Sequence, residues 1–142
     1  MREIKILHCA DMHLDSPFAG LSPEQAARRR KLQRQLPDRI VDLCHQHRCD
    51  LLLLSGDVFD GARVCPETVE AMQAAFGHCG VPVFISPGNH DFYSPASPYA
   101  AGTLPENVHI FDSEEMSSFD FPELGVTVYG YAFTSARYEK DP

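Results

Sequence analysis

The reading of the fold rests on residues 50–60, Asp50-Leu-Leu-Leu-Leu-Ser-Gly-Asp-Val-Phe-Asp60. Four consecutive leucines carry no polar alternation. Such a run suits a strand buried on both faces, as in a parallel sheet lying under helices. The strand runs into Gly56, whose small size permits a tight turn and a close approach of backbone to a ligand. Asp57 and Asp60 follow at once, two carboxylates in the loop at the strand's carboxyl end.

The same arrangement recurs on either side. Ile4 to Cys9 is a β-prone run that ends at Asp11-Met-His13, and Val81 to Ser86 runs into Gly88-Asn-His-Asp91. Helical signals lie between these strands. Ser22-Pro-Glu-Gln25 has a capping serine, proline at the first helical position and glutamine three residues after the cap. The helix it opens is polar and basic as far as Leu36, where Pro37 kinks or restarts it. Ile40, Val41, Leu43, Cys44 and His47 recur at helical spacing, so residues 38–48 are expected to pack on a sheet. Pro66-Glu-Thr-Val69 opens another helix, which Gly77 to Gly80 ends. Strand, helix, strand, helix, strand predicts a right-handed βαβαβ unit with a parallel sheet. Residues 92–105 read as a loop with one short helix at most. Val108–Phe111 and Val126–Tyr131 read as further strands with a polar stretch between them.

In an open α/β sheet, ligands bind at the carboxyl ends of the strands. All three motifs occupy such ends, which brings three loops distant in sequence to one rim. Asp11 and His13 are two residues apart, and in an extended loop both would point to one side and reach one cation. The Asp57 carboxylate has two oxygens and can bridge two ions. Asn89 offers a neutral carbonyl oxygen. Carboxylate, carboxamide and imidazole together favour Mn, Fe or Zn over a thiolate site. Two such ions clamp the attacking and leaving oxygens of a phosphoester and acidify a shared water. His90, beside Asn89, is then placed to donate to a phosphate oxygen or protonate the leaving group. Asp60 could orient His90 through one imidazole nitrogen. Each motif alone is weak to moderate; the three in order, each at a strand end, predict a two-metal site. His8, with its place on the first strand, is expected to be buried, and the other histidines to be structural.

Composition fits this picture. The chain has 142 residues, 44% of them apolar, and no window reaches the length of a membrane span. Its start carries charges where a signal peptide has an apolar core, so a cytoplasmic location and reduced thiols are expected for the five cysteines. Net charge is −8, unhelpful for a polyanion, yet five of the twelve basic residues cluster at Arg28, Arg29, Arg30, Lys31 and Arg34. That run reads first as a solvated helix face, and second as a phosphate-contacting surface. Residues 1–142 read as one domain.

The motifs resemble those of the calcineurin-like metallophosphoesterase superfamily from Ile4 to about Phe133. Ile6-Leu-His-Cys-Ala-Asp-Met-His-Leu14 and Ser55-Gly-Asp-Val-Phe-Asp60 look like its DNA repair exonuclease branch, the SbcD and Mre-type nucleases. Asp15-Ser-Pro-Phe-Ala-Gly-Leu21 is similar to a YhaO-like offshoot; Met12 and Asp15 depart from the typical SbcD string. The resemblance implies a four-layer α-β-β-α sandwich, of which this chain would be the N-terminal part, its late strands beginning the second sheet. Asp11 and His13 would hold a first ion, Asp57 would bridge and Asn89 would hold the second. His90 would be catalytic, with Asp91 behind the ligands. The resemblance implies a DNA exonuclease working through metal-activated hydroxide on two divalent ions, chiefly Mn. An SbcC-like coiled-coil ATPase partner and a homodimer are also implied. A phosphatase or phosphodiesterase acting on small molecules or phosphoproteins would use the same core. The family also needs a later histidine and a Gly-His-x-His motif; no such motif follows residue 91, where His109 stands isolated. The chain alone is therefore expected to be weakly active or inactive, or to serve as an inactive binding module.

Overall fold

The computed structural model describes residues 2–137. Four parallel strands form the central sheet in the order β1 (Ile6–Cys9), β2 (Leu51–Leu54), β3 (Val83–Ile85) and β4 (Val108–Ile110). Between β1 and β2 run α1 (Pro23–Gln33) and α2 (Leu36–Gln46); α3 (Pro66–Gly77) joins β2 to β3, and a single 3-10 turn (Pro98–Ala100) lies before β4. The chain then turns back as an antiparallel hairpin, β5 (Ser117–Phe121) and β6 (Val126–Gly130). The expected βαβαβ unit is present. Ser22 makes its capping box with Gln25, and Pro37 stands in the first turn of α2, so the chain restarts there rather than bending.

The leucine run buries both faces, as its lack of alternation requires. Leu52 and Leu54, with Val83 and Ile85, face Ile40, Val41 and Cys44 of α2 and Met72, Ala75 and Phe76 of α3. Leu51, Leu53 and Phe84 face the opposite way, toward Phe119, Phe121, Val126 and Val128 of the hairpin. Helices, sheet and hairpin thus form three successive layers. Among the described residues no helix is long and apolar enough to cross a membrane.

Two expectations about the late strands are corrected. The Val108 strand does not begin a second sheet. It pairs in parallel with β3, Val83 opposite Val108 and Ile85 opposite Ile110. The polar stretch before Val126 is itself a strand. Ser117-Ser-Phe-Asp-Phe121 alternates, with Phe119 and Phe121 turned to the sheet and Asp120 turned out to bond Thr127 across the hairpin at 2.8 Å. A half-solvated antiparallel strand needs only two apolar residues in five, which makes it read as polar. His8 is another correction: it is exposed on the edge strand β1, 2.6 Å from the Ser55 hydroxyl.

The seam between sheet and hairpin contains a titratable ring. His109 stacks on Phe84 with centroids 5.2 Å apart and also meets Phe119 and Phe121. Burial pushes its imidazole below the ordinary 6.5. Below that value the unfolded chain takes up the proton more readily than the folded one, so this contribution is present at neutral pH and lost on acidification. Urea denaturation from about pH 7 to about pH 5 should show falling stability, with a flatter slope in His109→Phe. An unchanged slope would place the acid sensitivity elsewhere.

Candidate metal centre

The loops after β1 and β2 continue side by side beyond the sheet. The Asp11 N–H donates to the Gly56 carbonyl (3.1 Å), that of His13 to Asp57 (2.9 Å) and that of Leu14 to Val58 (2.9 Å); Asp60 N–H returns to Leu14 (2.9 Å). Asp11, His13 and Asp15 alternate in the left-handed region, with φ of 57°, 48° and 63°. The side-chain direction shared by Asp11 and His13 therefore comes from this alternation, not from the extended backbone expected. Asp57 is also left-handed, at φ 49°, immediately after Gly56 at φ 83°. Non-glycine residues in this region are strained and cluster at ligand sites held by surrounding structure.

That surrounding structure centres on Asp91. Its buried carboxylate accepts the backbone N–H groups of Asp57 (3.1 Å), Val58 (2.8 Å), Phe59 (3.3 Å) and Gly88 (2.7 Å), and the Tyr99 hydroxyl (2.5 Å). Burial, reinforced by the Asp91 charge, holds Tyr99 well above the usual phenol range, so it stays a donor. The two loops also touch directly. A Cβ built on Gly88 would lie 2.4 Å from Asp57 Oδ1 and 2.8 Å from its backbone nitrogen, so only glycine fits there.

Two ligand clusters result. Asp11, His13 and Asp57 each offer an atom within 4.8 Å of the others, and so do His13, Asp60 and His90. His13 Nε2 lies 3.7 Å from Asp11 Oδ1 and 3.9 Å from Asp57 Oδ2. Its Nδ1 is 2.9 Å from Asp60 Oδ1. A carboxylate there keeps the proton on Nδ1 and leaves the Nε2 lone pair toward Asp11 and Asp57, the usual arrangement of a metal-ligating histidine. This donor set fits a hard or borderline divalent cation.

The structure changes one pairing. The Asp60 carboxylate meets His13, not His90. His90 is instead set by the Asp60 backbone, its Nδ1 donating to that carbonyl at 3.0 Å. The His90 N–H in turn donates to Asp57 Oδ1 at 3.0 Å. The His13 and His90 rings stand edge to face, 5.0 Å apart. Asn89 is exposed, in the peptide unit that reaches Asp57. The site thus brings together Asp11, His13, Asp57, Asp60 and His90, with Asp91 beneath them.

Three residues at the site escaped sequence reasoning. Tyr99 supplies a buried donor to Asp91 from a Pro-rich loop. Asp15 accepts the Cys65 N–H (2.5 Å) and the Thr68 hydroxyl (2.6 Å), serving the N-terminus of α3. Gln33 donates to the His13 carbonyl at 3.0 Å. Their partners lie 8 to 53 residues away, too far for any of the three to carry a local sequence signal.

Known proteins resemble the chain over most of its length. The family described as calcineurin-like phosphoesterase matches residues 4–138. A Bacillus subtilis (strain 168) protein, described as the uncharacterized metallophosphoesterase YhaO, is 33% identical over 142 residues, covering 94% of this chain and 34% of that protein. The probable exonuclease subunit 1 of Escherichia phage T5 is 32% identical over 88 residues, covering 62% of this chain and 26% of the phage protein. The chain therefore spans about a third or less of the length of these relatives.

Asp91→Ala removes the acceptor of five donors and should destabilise the chain by at least about 3 kcal/mol in chemical denaturation. Tyr99→Phe, which removes one donor, should cost much less. Asp60→Asn should weaken Mn²⁺ binding about 10- to 100-fold by calorimetric titration without unfolding the chain. Unchanged affinity would rule out its role in orienting His13.

Proposed function

Because this chain belongs to the calcineurin-like phosphoesterases, we propose that it carries part of a two-metal centre of a DNA exonuclease, of the repair type its motifs resemble. The observation that carries the reading is His13, with Nδ1 on Asp60 and Nε2 facing the Asp11 and Asp57 carboxylates. Asp11, His13 and Asp57 would hold one ion, and Asp57 and Asn89 the other. Manganese suits these donors, with iron or zinc as alternatives. Such ions, when bound, supply a water acidified to near neutrality and positive charge beside the phosphoryl oxygens.

The remaining work falls to the chain. Asp60 fixes the tautomer of His13. The Asp60 carbonyl accepts a hydrogen bond from His90 Nδ1–H, leaving Nε2 of that exposed ring for the substrate. As an imidazolium, His90 would donate from Nε2 to a phosphate oxygen or the leaving oxygen. Asp91 holds Asp57 and Gly88 in place and touches no substrate. The description of the phage relative as a probable exonuclease subunit supports DNA over a small phosphoester. Residues outside this chain complete the ligand set in the proposal. An SbcC-like ATPase partner, dimerisation and a cytoplasmic location belong to the same proposal.

The test uses the longest natural form of the protein with Mn²⁺, on linear duplex DNA and on an aryl phosphate. Release of nucleotides from DNA ends, reduced about 100-fold or more in His90→Ala, is expected. Hydrolysis of the aryl phosphate with intact DNA would instead identify a small-molecule phosphoesterase.

A further inference from the structure

Arg30 and Arg34 lie four residues apart on one side of the basic helix. With Arg63, from the loop after the second motif, they open onto a pocket of about 500 Å³ that also includes Asp15. Arg34 is fastened rather than free. Its Nε donates to Thr68 Oγ1 at 2.8 Å, and its Nη2 lies 3.6 Å from Asp15 Oδ1. Arg30 donates to the Pro17 carbonyl at 3.2 Å, and Arg63 is exposed without an ion pair among the described residues.

Two carboxylates oppose these three guanidinium groups, and both are already engaged. Asp15 accepts from the Cys65 N–H and the Thr68 hydroxyl and pairs in charge with Arg34, while Glu67 accepts the Cys65 thiol at 2.5 Å. A net positive charge and unspent guanidinium donors remain. Guanidinium forks match phosphate oxygens in geometry as well as charge. The pocket also adjoins the metal loop: Asp15 follows His13 by two residues, which limits their Cα separation to about 7 Å. Gln33 of the same helix is bonded to His13 itself. The arginines are thus built onto the loop that holds the first ligands.

We propose that Arg30, Arg34 and Arg63 form a phosphate subsite that grips a phosphate of the substrate strand flanking the scissile one. The inference rests on the nuclease reading and adds to it a preference for a chain of phosphodiesters over an isolated phosphate. Arg34 sets the floor of the subsite, Asp15 holds Arg34, and Arg30 and Arg63 supply the adjustable grip.

Binding of a fluorescent single-stranded oligothymidylate, followed by anisotropy in EDTA, tests the subsite without cleavage. The double variant Arg30→Ala/Arg63→Ala should bind about tenfold more weakly than the unaltered chain, as expected when charge-assisted hydrogen bonds are removed. Its salt dependence should fall by about 0.7 unit of log–log slope for each phosphate of the single strand no longer neutralised. Arg28→Ala removes one positive charge, half as many as the double variant, from a separate surface of α1 shared with Lys31, Leu32 and Gln35. It should alter binding by no more than about twofold. Equal weakening per charge removed, Arg28→Ala against the double variant, would mean diffuse attraction and overturn the subsite. So would an unchanged double variant, or no binding by any form. Arginine-dependent binding, with no cleavage in Mn²⁺ by the longest natural form of the protein, would retire the nuclease reading and leave the subsite standing. Cleavage of DNA that ignores both arginines would do the reverse.

Discussion

The buried carboxylate of Asp91 is the constraint on which the site depends. A carboxylate away from water is costly unless its oxygens are fully bonded. Here four backbone N–H groups and one phenol converge on it, from two loops and a 3-10 turn. The arrangement is reciprocal. Asp91 is tolerable only because these donors surround it, and the donors would be unpaired without it. Asp57 is thereby held against Gly88, near enough that its carboxylate receives the His90 N–H. A carboxylate of a cluster that could hold a cation is thus placed by another buried behind it.

The strain in the site follows from the same logic. Left-handed residues at Asp11, His13, Asp15 and Asp57 each cost energy that an isolated loop would relax. They persist because the two loops zip together by backbone hydrogen bonds above the sheet and are pinned beneath by Asp91. Asp15 shows how economical the arrangement is. One side chain in a strained turn tethers the start of α3, pairs with Arg34 and adjoins His13, so that helix, basic surface and the loop after β1 share one anchor.

Much of the fold is legible in local pattern. The unbroken leucine run announces a strand covered on both sides, and the hairpin and helices do cover it. The Ser22 capping box and Pro37 restart are readable because caps and prolines act within one turn of chain. The hairpin strand at Ser117–Phe121 is not, since two phenylalanines in a polar stretch mean little until Phe84 is seen opposite them. The sheet to which β4 belongs is hidden for a related reason: strand existence is a local property, but strand partners are not.

The sequence by itself determined that three glycine- and carboxylate-bearing loops follow three strands, and so converge on one rim. Periodicity and turn chemistry act over a few residues and need no tertiary context. Only the tertiary structure decided which group meets which. Asp60 binds His13 through its carboxylate and His90 through its carbonyl, Asp91 gathers the loop donors, and Arg34 reaches Asp15. Those pairings join residues about twenty to fifty positions apart, and they form only once the parallel sheet has brought the ends of its strands together.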